Sequence, residues 1–219
     1  MKALVILCGS GHRDGSEIHE AVFTLAALEE TGADMTIAAP NDLQSGTTNH
    51  CNGLAASGAG RNMLEESARI ARGQIVPLSE VAAESFDALF FPGGFGVARN
   101  LCNFADAGED MQVRQDVSDL IRNFYRLGKP MGFICIAPVL AAKVLSEFSP
   151  VLTAGNSNDV ANVMERWGAR HQVCEKGECL VDQKAKIVST PAYMYGNSKM
   201  AEVSRGIEKL VKAVQRMIR

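Results

Sequence analysis

The chain has 219 residues, of which 47% are hydrophobic and 21% charged, and it carries a net charge of −3. These are the proportions of a folded globular protein, which excludes a disordered or fibrous chain. There is no basic block and no apolar run of transmembrane length, so neither nucleic acid nor a membrane is expected as a partner.

Residues 3–7 are a continuous apolar run, the pattern of a strand buried on both faces of a parallel sheet. No cationic segment or small-residue cleavage site precedes it, so no secretory signal is expected. The six scattered cysteines (8, 51, 102, 135, 174 and 179) then read as reduced thiols rather than a disulfide framework. A glycine-rich loop covers 8–15. Ser16 is placed to cap a helix running to about Glu30, with Ile18, Val22, Leu25 and Leu28 inward and Gly32 ending it. Residues 35–39 form a second strand, closed by Pro40.

Residues 41–60 have weak periodicity and read as an irregular connection, and 62–71 as a helix. Residues 87–91 are a third buried strand. It runs into Pro92, Gly93, Gly94, Phe95 and Gly96, with a short helical stretch from Val97. Residues 112–127 form an amphipathic helix with Val113, Val117, Leu120, Ile121 and Phe124 inward, stopped by Gly128. A fourth strand covers 131–134, and after Cys135 a helix opens with Pro138 in its first turn and ends near 148–150. A helix over 158–167, short strands over 171–174, 179–181 and 187–190, and a final helix capped by Asn197 and reaching 217 complete the chain. Alternating strands and helices predict one α/β domain over 1–219: a three-layer, doubly wound, mostly parallel sheet with helices on both faces. In such sheets ligands bind outside the carboxyl ends of the strands. The loop 9–15, the loop 93–96 and the Cys135 turn all gather at that end.

Cys135, between an apolar strand and a helix start, has the setting of a nucleophile elbow. The helix N-terminus favours an anion, so its thiol pKa is expected to be lowered; the alternative is an inert, buried thiol. Glu17 and Glu20, three apart, share a helix face. They either orient the sulfur and move protons, or only complement the helix dipole. The amides of Gly94 and Ile136, with Gly93 beside them, are candidates for an oxyanion hole; a tight turn is the alternative. No histidine adjoins Cys135 in sequence, since position 136 is Ile. His50, in the irregular segment, either folds over the pocket or is a solvated loop residue. Tyr193 either lines the pocket or packs in the core. Cys8 and Cys102 read as buried structural thiols. No histidine pair has metal-ligand spacing, so no metal site is expected.

Several motifs together carry a family resemblance: CGSG at 8–11, DGSEIHE at 14–20, ESARIARG at 66–73, FPGGFG at 91–96, KPMG at 129–132, CIAP at 135–138 and TPAYM at 190–194. They resemble the ElbB-type proteins, named for enhancing lycopene biosynthesis in bacteria and with mitochondrial relatives in vertebrates. These lie in the PfpI and parkinsonism-associated deglycase superfamily, of the class I glutamine amidotransferase-like fold. The resemblance spans essentially the whole chain. It implies a flavodoxin-like sheet, a homodimer, Cys135 as nucleophile, and the pocket glutamate at Glu20 with Glu17 one turn earlier. It also implies a weak glyoxalase activity on small reactive dicarbonyls, without cofactor and observable as deglycation. The implied location is cytoplasmic, or organellar such as mitochondrial. Where superfamily proteases and many glyoxalases carry a histidine, this chain has Ile136 and, further on, Gly155 and Asn156. Peptidase activity is therefore not expected, and turnover is expected to be slow. The competing reading is a non-catalytic redox-sensing or chaperone-like protein built on an oxidisable Cys135.

Overall fold

In a computed structural model of the protein, which describes residues 1–218, β1 (Lys2–Ile6) lies inside a seven-stranded sheet. To one side of it lie β2 (Asp34–Ala39) and then β3 (Val76–Pro77), and to the other β4 (Ala88–Phe91), β5 (Met131–Ile134), and two strands from the C-terminal third. Those two strands are β9 (Ile187–Thr190), beside β5, and the edge strand β8 (Leu180–Asp182). Every pairing is parallel except β8 with β9, so the fold is the mostly parallel, flavodoxin-like α/β sheet expected. A separate parallel pair joins β6 (Val151–Leu152) to β7 (Arg170–His171).

Strand alternation divides the core in two. Ala3, Val5, Phe90 and Ile134 face α1 (Ile18–Glu30) and α7 (Met200–Arg216). Leu4, Ile6, Leu89, Phe91 and Phe133 face the other way, toward α4 (Gln115–Arg126) and α5 (Pro138–Val144). Both faces of the strands are dry, which is why they read as unbroken apolar runs rather than alternating ones. The remaining helices are α2 (Met63–Ile70), α3 (Phe104–Ala107) and α6 (Asn158–Arg166), and residues 97–101 form a π-helical turn.

The chain leaves β1 toward β2 on one side and returns to pair β4 on the other. The strand order therefore reverses between β1 and β4. The loops leaving those two strands splay apart there and open the crevice that such folds use for ligands.

Several expectations are corrected. Ser16 does not cap α1; its hydroxyl accepts the Cys8 N–H at 2.9 Å, and Glu17 is the cap. Ile18 and Val22 point outward, 44% and 46% exposed; the buried face is Glu20, Ala21, Thr24, Ala27 and Leu28. Its small residues let α1 settle on the sheet, a packing that apolar spacing alone does not reveal. Residues 112–114 precede α4, because Cys102 and Val113 form a β-bridge there. Residues 171–174 add no strand to the main sheet; only Arg170–His171 pairs, with β6. Lys199, not Asn197, precedes α7, with Glu202 accepting the Lys199 N–H at 2.7 Å.

Candidate active site

Cys135 follows β5 with φ 61, in the left-handed region that an L-residue enters at a cost of about 1–2 kcal/mol. Its N–H donates to the Thr190 carbonyl at 2.9 Å, which ties the strained turn to β9. Pro138 is the first residue of α5, so the chain turns from strand to helix within three residues of the sulfur. This is the elbow geometry expected. The side chain is 8% exposed.

Glu20 lies beneath it, fully buried on α1. Its Oε2 accepts the Gly93 N–H at 2.9 Å and its Oε1 the Tyr193 N–H at 3.4 Å, while the Cys135 thiol donates to the same carboxyl group. Burial, reinforced by the charge of Glu17, pushes the Glu20 pKa up to about 8, against the three donors that lower it. The Gly94 and Ile136 N–H groups both point at Sγ. The residues proposed for an oxyanion hole thus surround the sulfur.

The expected lowering of the thiol pKa is overturned. Burial and then the adjacent Glu20 hold the Cys135 thiol well above its ordinary value, and the two amides only partly offset them. Helix α5 has seven residues, and its dipole is outweighed by desolvation and a neighbouring acid. Cys135 and Glu20 therefore form an acid pair that rests protonated near neutral pH.

Glu17 takes a different place from Glu20. Its Oε2 accepts the Glu20 N–H at 2.7 Å, so it caps α1, and its side chain lines the cavity above Cys135. Gly93 is held between the two acids, since its carbonyl accepts the Glu17 N–H at 2.9 Å. A Cβ at position 93 would lie 2.5 Å from the Cys135 Cβ, 2.6 Å from Glu20 Oε2 and 2.9 Å from the Ile134 carbonyl oxygen. The Cys135 Cβ and the Ile134 carbonyl cannot swing aside, and the buried Glu20 carboxyl is held by its bonds from Gly93 and Tyr193. Gly93→Ala is expected to destabilise the fold by roughly 2–3 kcal/mol, read as a lowered urea midpoint; an unchanged midpoint would mean the site is not packed this tightly. Gly94, at φ +103, supplies the turn that aims its own N–H at the sulfur.

Above the sulfur is a cavity of about 470 Å³, lined in part by His12, Glu17, Tyr193 and Ile136. Tyr193 lines it as well as supporting Glu20, and its hydroxyl is 2.9 Å from His19 Nδ1. His50 does not reach this cavity. It stands behind His12, ring centroids 5.1 Å apart edge to face, and accepts the Arg13 N–H at 3.3 Å. Its Nε2 is 3.7 Å from the buried carboxylate of Asp14. Of the four histidines that are candidates from the sequence, His12 is the one that lines this cavity, by its place in the loop at the carboxyl end of β1, where such folds gather ligand-binding residues. Burial, with His50 and Arg13 nearby, lowers its pKa and favours the neutral ring. Cys8 and Cys102 are buried thiols, and burial pushes both up to about 12. Among the described residues no group of three or more His, Cys, Asp or Glu side chains is placed to hold a metal ion.

The chain is 41% identical to the human protein named glutamine amidotransferase-like class 1 domain-containing protein 3, mitochondrial, over 97% of this chain and 82% of that one. A crystal structure from Ehrlichia chaffeensis, described as an isoprenoid biosynthesis protein with an amidotransferase-like domain, superposes with a TM-score of 0.92 at 33% identity over the whole of both chains. A glyoxalase III from Candida albicans shares the fold, with a TM-score of 0.60 at 14% identity over 97% of each chain. Residues 1–191 match the model of the DJ-1/PfpI family, and the chain belongs to that family.

Proposed function

We propose that this protein is an ElbB-type, cofactor-independent glyoxalase that converts 2-oxoaldehydes to 2-hydroxy acids, an activity also observable as deglycation. The observation that carries the reading is Cys135 in a left-handed turn, its sulfur faced by two backbone N–H groups and its thiol donating to buried Glu20. Ionised Glu20 takes the thiol proton as Sγ adds to the aldehyde carbon, giving a hemithioacetal. The Gly94 and Ile136 amides, beside the sulfur, stabilise the alkoxide oxygen as it forms. Glu20 passes the thiol proton to that alkoxide, then removes the proton from the former aldehyde carbon and returns it to the adjacent carbon through an enediol, while the hydroxyl proton shifts from one oxygen to the other, leaving a thioester of the hydroxy acid. Water cleaves that thioester, releasing the acid and restoring the thiol. No outside oxidant is needed, because one carbon is oxidised as its neighbour is reduced.

The likeness to the Ehrlichia protein supports the ElbB-type assignment, and the human relative's name supports the organellar choice of location. The homodimer that the resemblance implies stays part of this proposal, and the exposed apolar pair Ile18 and Val22 is compatible with a contact between copies. The redox-sensing alternative required an accessible, low-pKa thiolate, and Cys135 is buried with a raised pKa.

A proton returned by one fixed group arrives on one face of the enediol. Purified protein given methylglyoxal is therefore expected to form a single enantiomer of lactate, resolved by chiral chromatography. Racemic lactate at the buffer rate would overturn the glyoxalase reading.

A further inference from the structure

The cavity above Cys135 is far larger than a two- or three-carbon dicarbonyl needs. At about 470 Å³ it falls among pockets that enclose drug-sized ligands, roughly 300–1,000 Å³. Its walls are apolar. Phe95 follows β4, Ala98 lies in the π-helical turn, Phe104 belongs to α3, Val160 to α6, and Met194 follows β9. Five separated segments thus each send an apolar side chain to one space. Phe104, Val160 and Met194 are backed by the main core, and Phe104 also packs edge to face on Trp167, so these walls are preformed. Phe95 is 55% exposed at the same cavity, a large apolar surface left in water beside a reactive sulfur.

The charge at the cavity narrows the choice further. No Lys or Arg among the described residues lines it, whereas Glu17 does. A substrate bearing a phosphate or carboxylate would meet a like charge and no countercharge.

We propose that the carbonyl compound bound here carries an uncharged apolar arm, aromatic or of comparable aliphatic size, seated against Phe95, Phe104, Val160 and Met194 while the carbonyl reaches Cys135. The inference rests on the glyoxalase reading for its chemistry, with the 2-oxoaldehyde R–CO–CHO having a hydrocarbon or aryl R. Recognition of the arm rests on the cavity alone.

Two measurements on the full chain test it. In the first, kcat/KM for phenylglyoxal, followed as mandelate, is compared with that for methylglyoxal, followed as lactate. A preference of about 10-fold or more for phenylglyoxal is expected, and Val160→Asp is expected to collapse that ratio. In the second, the protein is alkylated with phenacyl bromide or bromoacetone. Sulfur displaces bromide, the C–S bond forms as C–Br breaks, and the thiol proton leaves to solvent. Cys51 is exposed and serves as the internal reference for intrinsic reactivity. The Cys135-to-Cys51 labelling ratio, read by peptide mass spectrometry, is expected to be at least about 10-fold higher with the aryl reagent. If methylglyoxal is turned over as well as phenylglyoxal and the labelling ratios are equal, the apolar arm is overturned while the glyoxalase stands. If neither aldehyde is turned over but the aryl preference in labelling persists, the glyoxalase reading fails and recognition of the arm is supported.

Discussion

Cys135→Ala is expected to lower hydroxy-acid formation roughly a thousandfold or more and to leave the fold intact. The chemistry needs a sulfur to form the hemithioacetal, and no other thiol can replace it. Of the six cysteines, Cys135 alone lines the cavity, so Cys8, Cys51, Cys102, Cys174 and Cys179 do not meet a substrate bound there. Alanine accepts φ 61 at a cost similar to that of cysteine, so the turn should persist. It also removes a thiol that folding must desolvate. Circular dichroism and a urea midpoint near that of the wild type would show the fold retained. Cys51→Ala, remote from the site, should turn over at the wild-type rate. A Cys135→Ala protein that keeps its turnover would remove the nucleophile from the mechanism.

Glu20→Gln is expected to separate stability, thiol reactivity and turnover. Glu20 titrates near 4.5 when unfolded and at about 8 when folded. The folded state therefore binds this proton more tightly, and its stability falls as the pH rises from about 4.5 to about 8. The loss over that window is on the order of 5 kcal/mol for a carboxyl buried this completely. Glutamine carries no charge, and its amide oxygen can keep the 2.9 Å bond from Gly93. The variant should thus unfold at a temperature roughly 10 °C above the wild type at pH 9, with little or no gain at pH 4. Its thiol should alkylate faster, because the charge of Glu20 no longer holds the Cys135 pKa up. Turnover should nevertheless fall about 100-fold or more, since no group remains to carry the proton between carbons. In the wild type, kcat/KM should rise with pH and level off above about 8, as Glu20 ionises and can accept the thiol proton. A wild-type profile flat from pH 6 to 9, or a variant with wild-type turnover, would take Glu20 out of the proton path.

Much of the architecture is legible in local pattern, and specific failures show where pattern stops. The strands β4 and β5, and β1 from Ala3 onward, are recognisable because each is buried on both faces and carries no polar side chain there. The two-residue strands β3 and β6 are not, since two residues carry no period. Ile18 and Val22 have the spacing of a buried face and point outward instead, because Glu20 and small residues turn toward the sheet. Burial of a glutamate runs against side-chain hydropathy, and it happens only where Gly93, Tyr193 and Cys135 supply donors.

By itself the amino-acid sequence determined the doubly wound class, the sharp turn at Cys135 and the end of the sheet where a ligand would enter. Each of these is written in neighbouring residues: unbroken apolar runs, glycines after strands, and a proline opening a helix. Only the tertiary structure decided the ionisation of the pair, the presence of His12 in the cavity and the apolar walls around it. Glu20 and Gly93 are 73 positions apart, and the thiol pKa depends on the burial that such distant contacts create. The local helix start favours a thiolate, and desolvation beside an acid outweighs it, because removing water from a charge costs more than a short helix dipole returns.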